Sequence, residues 1–163
     1  MSRFIIEGVA HGIPRQALWD WYTDFRSDDN SLIEEINRAR DMRVSKREIQ
    51  RKGNRMHYVQ DMKIRGNTVT MAGDATFHPA DHTYDIRSTM TGWLRLTDER
   101  RYVFTETPEG TKITATCTLR DVKGGMKLMN ALGILPRIMR KGSQEAMDGY
   151  LRAAMRELGG KGA

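Results

Sequence analysis

Between Met42 and Asp121 the chain breaks at near-regular intervals on turn residues: Gly53-Asn54, Gly66-Asn67, Pro79-Ala80-Asp81, Thr97-Asp98-Glu99 and Pro108-Glu109-Gly110. Between the breaks, apolar and polar residues alternate. Successive side chains of a strand point to opposite faces, so this alternation marks a sheet with one dry and one wet side. Breaks this short leave no room for the dozen or more residues that a parallel crossover needs. The segment is therefore expected to be a meander of six antiparallel strands.

The alternation also selects the dry face. It presents Met56, Tyr58, Gln60, Met62 and Ile64 on one strand, Val69, Met71, Gly73, Ala75 and Phe77 on the next, then Tyr84, Ile86, Ser88, Met90, Gly92, Leu94 and Leu96. The last strand offers Ile113, Ala115, Cys117 and Leu119, opposed by Lys112, Thr114, Thr116, Thr118 and Arg120. By contrast Arg43 to Arg51 is polar on both sides, which suits a charged edge strand or the rim of an open cavity.

Both flanks add to this sheet. Phe4 to Ala10 is short and β-prone and ends at Gly12-Ile13-Pro14, which makes it a seventh strand. Pro14 suits the first turn of a helix, and Leu18, Trp19, Tyr22 and Phe25 then follow at helical spacing. Asp28-Asp29-Asn30-Ser31 supplies capping chemistry for a second short helix from Leu32 to about Ala39. After Leu119, residues Met126 to Leu158 are patterned as one long amphipathic helix rich in methionine (Met126, Met129, Met139, Met147 and Met155). Gly133 and Pro136 interrupt it and are expected to bend it, because proline lacks a backbone donor and clashes with the preceding turn. Methionine is unbranched and polarizable, so such a face can repack around irregular guests.

The chain has 163 residues, enough for one domain with a real core, which we place at 1–158 with a frayed tail at 159–163. No run approaches the roughly 18 to 20 apolar residues of a membrane span, and the first residues lack the apolar stretch of a secretory signal. The single cysteine, Cys117, rules out an internal disulfide and agrees with a reducing, cytoplasmic location. Its simplest role is that of a small buried apolar residue. Lys and Arg exceed Asp and Glu by 27 to 21. The excess is dense between Arg38 and Arg65 and recurs at Arg137, Arg140 and Lys141, so an anionic membrane surface or an acidic protein is a candidate partner. Nucleic acid is a poor one, because Tyr58, the aromatic nearest the basic strands, alternates inward and forms no stacking platform.

His78-Pro79-Ala80-Asp81-His82 gathers metal-ligating side-chain types, but Pro79 places them in a turn, where spacing alone brings nothing together. No metal and no cofactor is expected. Polar residues on the dry face need a partner or a function. Tyr58, Gln60, Tyr84, Ser88 and Glu106 fit that description, either as hydrogen-bond partners for a ligand head group or as groups paired among themselves. His57 alternates outward and reads as a surface residue.

The order strand, two short helices, six antiparallel strands and a long C-terminal helix resembles the helix-grip fold of the SRPBCC superfamily, which includes START, birch-pollen-allergen, polyketide-cyclase and coenzyme-Q-binding proteins. Ile13-Pro14-Arg15-Gln16-Ala17-Leu18-Trp19-Asp20 is similar to the start of that family's first helix, and Thr23-Asp24 to its end. The resemblance covers nearly the whole chain. It implies an α+β fold in which a curved, seven-stranded antiparallel sheet wraps around the C-terminal helix, with a hydrophobic cavity between them. The stretch Asp28 to Arg40 departs from it in being charged and helical where many bacterial members have a short loop. No catalytic residue of the family can be carried over.

The expected function is binding or transport of a hydrophobic or amphipathic small molecule, such as a lipid, a quinone or a polyketide-like compound. Candidate contacts are Tyr58, Gln60, Met62, Met71, Phe77, Tyr84, Ile86, Met90, Phe104, Glu106, Cys117, Met129, Met139 and Tyr150. Two alternatives stand beside it. One is a cyclase or dehydratase with Tyr58, Tyr84 or Glu106 as acid or base. The other is a regulatory interaction module acting through the basic face.

Overall fold

The computed structural model describes residues 1–24, 42–64 and 66–159, with the side chains of 42–46 and 64 left aside. The expected second helix (32–39), its capping residues and Phe25 lie outside the described residues, as do Arg38, Arg40, Arg65 and the tail beyond 159. Strand β1 (Ser2–His11) leads into helix α1 (Arg15–Thr23). Strands β2 (Met42–Lys52), β3 (Arg55–Ile64), β4 (Asn67–His78), β5 (Thr83–Gly92), β6 (Leu96–Thr107) and β7 (Gly110–Arg120) follow, then helices α2 (Met126–Ala131) and α3 (Ile134–Gly159). All strand pairs are antiparallel in one seven-stranded sheet, ordered β1-β7-β6-β5-β4-β3-β2. This is the helix-grip α+β arrangement.

The dry face follows the alternation closely. Met56, Tyr58, Met62, Val69, Ala75, Phe77, Tyr84, Met90, Ile113, Ala115, Cys117 and Leu119 are all buried. Strand β2 closes one edge, and none of its described side chains is buried. Arg51 on β2 donates to the Thr23 carbonyl at the C-terminus of α1 (2.6 Å) and lies over the Phe77 ring, 4.5 Å from its centre. A cation suits that helix end, where unpaired carbonyls carry partial negative charge.

Helix α3 lies along the opposite edge, over β1. Gly8 makes the approach possible: a β-carbon there would come within 2.3 Å of Leu151 Cδ1. The free edge of β1 is also occupied. Gln144 on α3 donates to the Glu7 carbonyl (2.7 Å) and accepts from the Glu7 amide (3.3 Å), which satisfies backbone groups that an edge strand leaves open. At the far end of α3, Glu157 accepts from Trp21 Nε1 of α1 (2.6 Å).

Two expectations need correction. The turn between β5 and β6 falls at Trp93 to Arg95, so Thr97-Asp98-Glu99 belongs to β6 and is no break. Asp98 reads as a turn residue by type, but its inward position and its ion pair keep it in the ladder. The C-terminal segment is also two helices. Its interruption is at Gly133, whose φ of 71° is a left-handed conformation that glycine adopts at little cost. Pro136 bends nothing, because it sits in the first turn of α3, where amides have no intrahelical acceptor to lose.

Candidate functional site

One end of the gripped interior is filled by rings. Trp19 meets Phe77, Tyr84 and Phe104 edge-on, and Tyr22 meets Phe104 and Tyr150. Tyr84 and Tyr102, cross-strand partners on β5 and β6, stack at 4.4 Å. The arrangement follows from register: Phe77 opposes Tyr84, which opposes Tyr102, so one row across the sheet carries three aromatics.

The next rows are polar. Register runs Tyr58, Gly73, Ser88, Asp98 across β3 to β6, with Arg100 one inward position further along β6. Gly73 has no side chain, and the Tyr58 ring lies across it: a β-carbon at 73 would sit 2.4 Å from Tyr58 Cε1. The ring thereby spans β4 and brings its Oη to 2.6 Å from Ser88 Oγ and 3.2 Å from Met71 Sδ. Asp98 is 2% exposed. Its Oδ2 accepts from both Nε (2.8 Å) and Nη2 (2.5 Å) of Arg100, whose side chain is 18% exposed. Asp98 Oδ1 is buried and has no hydrogen-bond partner among the described residues.

Such a pair inside an otherwise apolar face is costly to desolvate, and its remaining lone pairs need donors. The surroundings fix the charge states. Burial opposes the Arg100 charge, but the neighbouring Asp98 carboxylate outweighs it and holds the guanidinium well above its ordinary range. Burial pushes the Tyr58 phenol up to about 12, against the Ser88 hydrogen bond, which works to lower it. Burial likewise raises Tyr84 and Tyr22 well above the usual phenol value. Cys117, which opposes Arg100 from β7, is pushed up to about 11 by burial, with the Arg100 charge acting in the other direction. The phenols are therefore hydrogen-bond donors at neutral pH, and the thiol stays protonated.

The candidate contacts distribute unevenly around this band. Tyr58, Met62, Phe77, Tyr84, Met90, Phe104 and Cys117 are buried, and Met71, Ile86, Met129, Met139 and Tyr150 are partly so. Gln60 donates to the sulfurs of Met62 (3.1 Å) and Met71 (3.9 Å). Glu106 stands apart from them. It is exposed at the far end of β6 and pairs with Arg15 at 3.8 Å. His78 turns to Asp85 (3.3 Å) and His82 to Gln16 (2.8 Å), and among the described residues no three metal-ligating side chains converge.

Asp98, Arg100 and Tyr102 are absent from the sequence-derived contacts. Their signal was present in the i, i+2, i+4 spacing of Asp98, Arg100, Tyr102 between Leu96 and Phe104, which puts a self-neutralising pair on the dry face once the turn is placed correctly. A lone Gly73 inside a strand was a second signal, since such a glycine often marks a close approach. Two open grooves are present. One of about 540 Å³ runs beside Asp74, Thr76, Arg87, Glu99 and Thr118 and reaches Ile86 and Arg100, and one of about 570 Å³ lies by Arg3, Ile5 and Arg140. The first is rimmed by side chains already in ion pairs, including Arg87 with Glu99 (3.7 Å) and Arg120 with Glu99 (2.7 Å).

No family model matches the chain, and no curated protein matches it significantly. Among solved structures it is similar to TTHA0849 from Thermus thermophilus, with 16% identity over 96% of this chain and 99% of that one, and a TM-score of 0.71. It is also similar to Ara h 8.0201 (16% identity, 95% and 98% covered, TM-score 0.66). A third is the Zhui aromatase/cyclase from Streptomyces sp. R1128 (14% identity, 96% of each chain, TM-score 0.67). The likeness to these structures is one of fold, a curved antiparallel sheet with a long C-terminal helix.

Proposed function

We propose that the protein binds a hydrophobic or amphipathic small molecule between the inner face of its sheet and α3, with the polar part of the guest at the Tyr58–Ser88–Asp98–Arg100 band. The observation that carries this reading is the buried Asp98–Arg100 pair with one carboxylate oxygen unpartnered among the described residues. A guest hydroxyl or amide donor would complete Asp98, and a guest carbonyl could accept from Tyr58. Affinity would come mainly from apolar burial against Met62, Met71, Met90 and the methionines of α2 and α3, at roughly 25 cal/mol per Å² removed from water. The polar band would fix orientation. The fold supports this, since solved structures with the same architecture include an aromatase/cyclase.

The same band favours a second reading. A guanidinium held charged beside protonated phenols is also what polarises a carbonyl, so a cyclase or dehydratase would use Arg100 and Tyr58 as electrophile and acid. Glu106 is a poor base for it from its exposed position. Native mass spectrometry of the purified protein tests binding directly. A mass increment that disappears on denaturation supports it, and a bare native mass together with no retention of an anilinonaphthalene-sulfonate probe would sink it. Turnover of a captured polyketide-like compound, lost in Tyr58→Phe, would move the reading to the enzyme.

A further inference from the structure

Most of the large apolar side chains left exposed among the described residues gather at one end of the molecule. Trp93 in the β5–β6 turn, Leu128 and Leu132 on and just after α2, and Ile134 and Ile138 on α3 are 40% to 66% exposed. Backbone contacts bring these segments together: the Lys123 amide donates to the Arg95 carbonyl (3.0 Å), which joins the strand exit before α2 to the Trp93 turn. Ser2 Oγ donates to Asn130 Oδ1 (2.8 Å) and seats α2 at the same end. Ile134, Ile138 and Lys141 share a helix face at i, i+4 and i+7, opposite the inward Leu135, Met139 and Met147.

Among the described residues the charge around this patch is mainly positive, the exposed Asp121 at the strand exit being the exception. From Val122 to Gln144 the sequence has no Asp or Glu, and it carries Lys123, Lys127, Arg137, Arg140 and Lys141, all exposed. Arg95 adds another exposed cation from the neighbouring turn. Apolar residues on a surface helix, rimmed by cations, match a bilayer interface with anionic headgroups. A second copy is a poor occupant, because a two-fold contact would set the cations of one patch against those of the other.

We propose that this end, formed by α2, the first turns of α3 and the Trp93 turn, docks the protein on an anionic membrane surface. Co-sedimentation of the full chain with vesicles of phosphatidylcholine, with and without phosphatidylserine, at low and high salt, tests it. Each Lys or Arg near such a surface is worth a factor of about five in partitioning. Lys127→Glu/Lys141→Glu should therefore cut binding to the anionic vesicles at least ~25-fold, and high salt should act the same way. Leu132→Asp/Ile138→Asp should remove it while leaving the melting temperature unchanged, since both side chains already face water. Trp93 emission should shift to the blue only with anionic vesicles. Absence of co-sedimentation at low salt, or binding that neither double variant weakens, overturns the proposal. So does a concentration-dependent dimer that Leu132→Asp/Ile138→Asp dissolves, which would assign the patch to a second copy.

Discussion

Removing Arg100 alone should be far more damaging than removing it together with Asp98. In Arg100→Met, Asp98 stays 2% exposed with neither oxygen partnered among the described residues. Stranding one member of a buried pair costs about 3 to 5 kcal/mol. For a chain of this size each kcal/mol lowers the melting temperature by roughly 2 to 4 °C, so a fall on the order of 10 °C is expected. Asp98→Leu should cost less, because the Arg100 side chain is 18% exposed and can turn its head toward water. The double variant Asp98→Leu/Arg100→Met removes both charges, and comparable buried pairs have been replaced at no cost or with a gain of roughly 1 to 4 kcal/mol. Urea unfolding followed by circular dichroism, closed as a double-mutant cycle, measures all three. An Arg100→Met cost below about 1 kcal/mol would refute the reasoning, since it would mean that Asp98 is solvated or otherwise paired.

Three further outcomes follow from the same band. Gly73→Ala should cost about 1 to 3 kcal/mol by overpacking and push Tyr58 off Ser88; an unchanged urea midpoint would show that the ring does not lie over position 73. Stability should fall between pH 10 and 12: the unfolded Tyr58 phenol loses its proton near 10 while the folded one holds it to about 12, so the folded state binds more protons there. Two units correspond to about 3 kcal/mol, and Tyr58→Phe should flatten the alkaline limb of a pH series of unfolding curves, whereas an identical limb would contradict it. Cys117, fully buried and pushed up to about 11, should resist a thiol reagent in the native protein and react on unfolding; rapid native labelling would show that β7 is accessible.

The sheet was legible because its short breaks allowed only hairpins and its alternation separated Ile113, Ala115, Cys117 and Leu119 from the threonines between them. The polar site was less legible. Asp98 and Glu99 carry turn chemistry by type, and local composition cannot reveal that Arg100 two residues on would neutralise Asp98 inside the sheet. Parity alone puts Tyr58 inward, but its reach to Ser88, two strands away, depends on Gly73 between them, a cross-strand fact that only register supplies. In the C-terminal segment, Gly133 and Pro136 are both visible as interruptions. Which of them breaks the helix depends on where α3 begins, and its start at Ile134 makes the proline harmless. Glu106 has inward parity, yet the strand end carries it past the core.

The most direct test of the proposed function is a fluorescence titration of an anilinonaphthalene-sulfonate probe into the native protein and into Asp98→Leu/Arg100→Met, with the fold of each checked by its melting temperature. The expected result is saturable one-to-one binding by the native protein that is at least ten-fold weaker in the double variant, at equal or higher stability. Equal affinity in the two proteins would contradict a ligand role for the pair, and a native protein that leaves the probe dark would contradict the binding site itself.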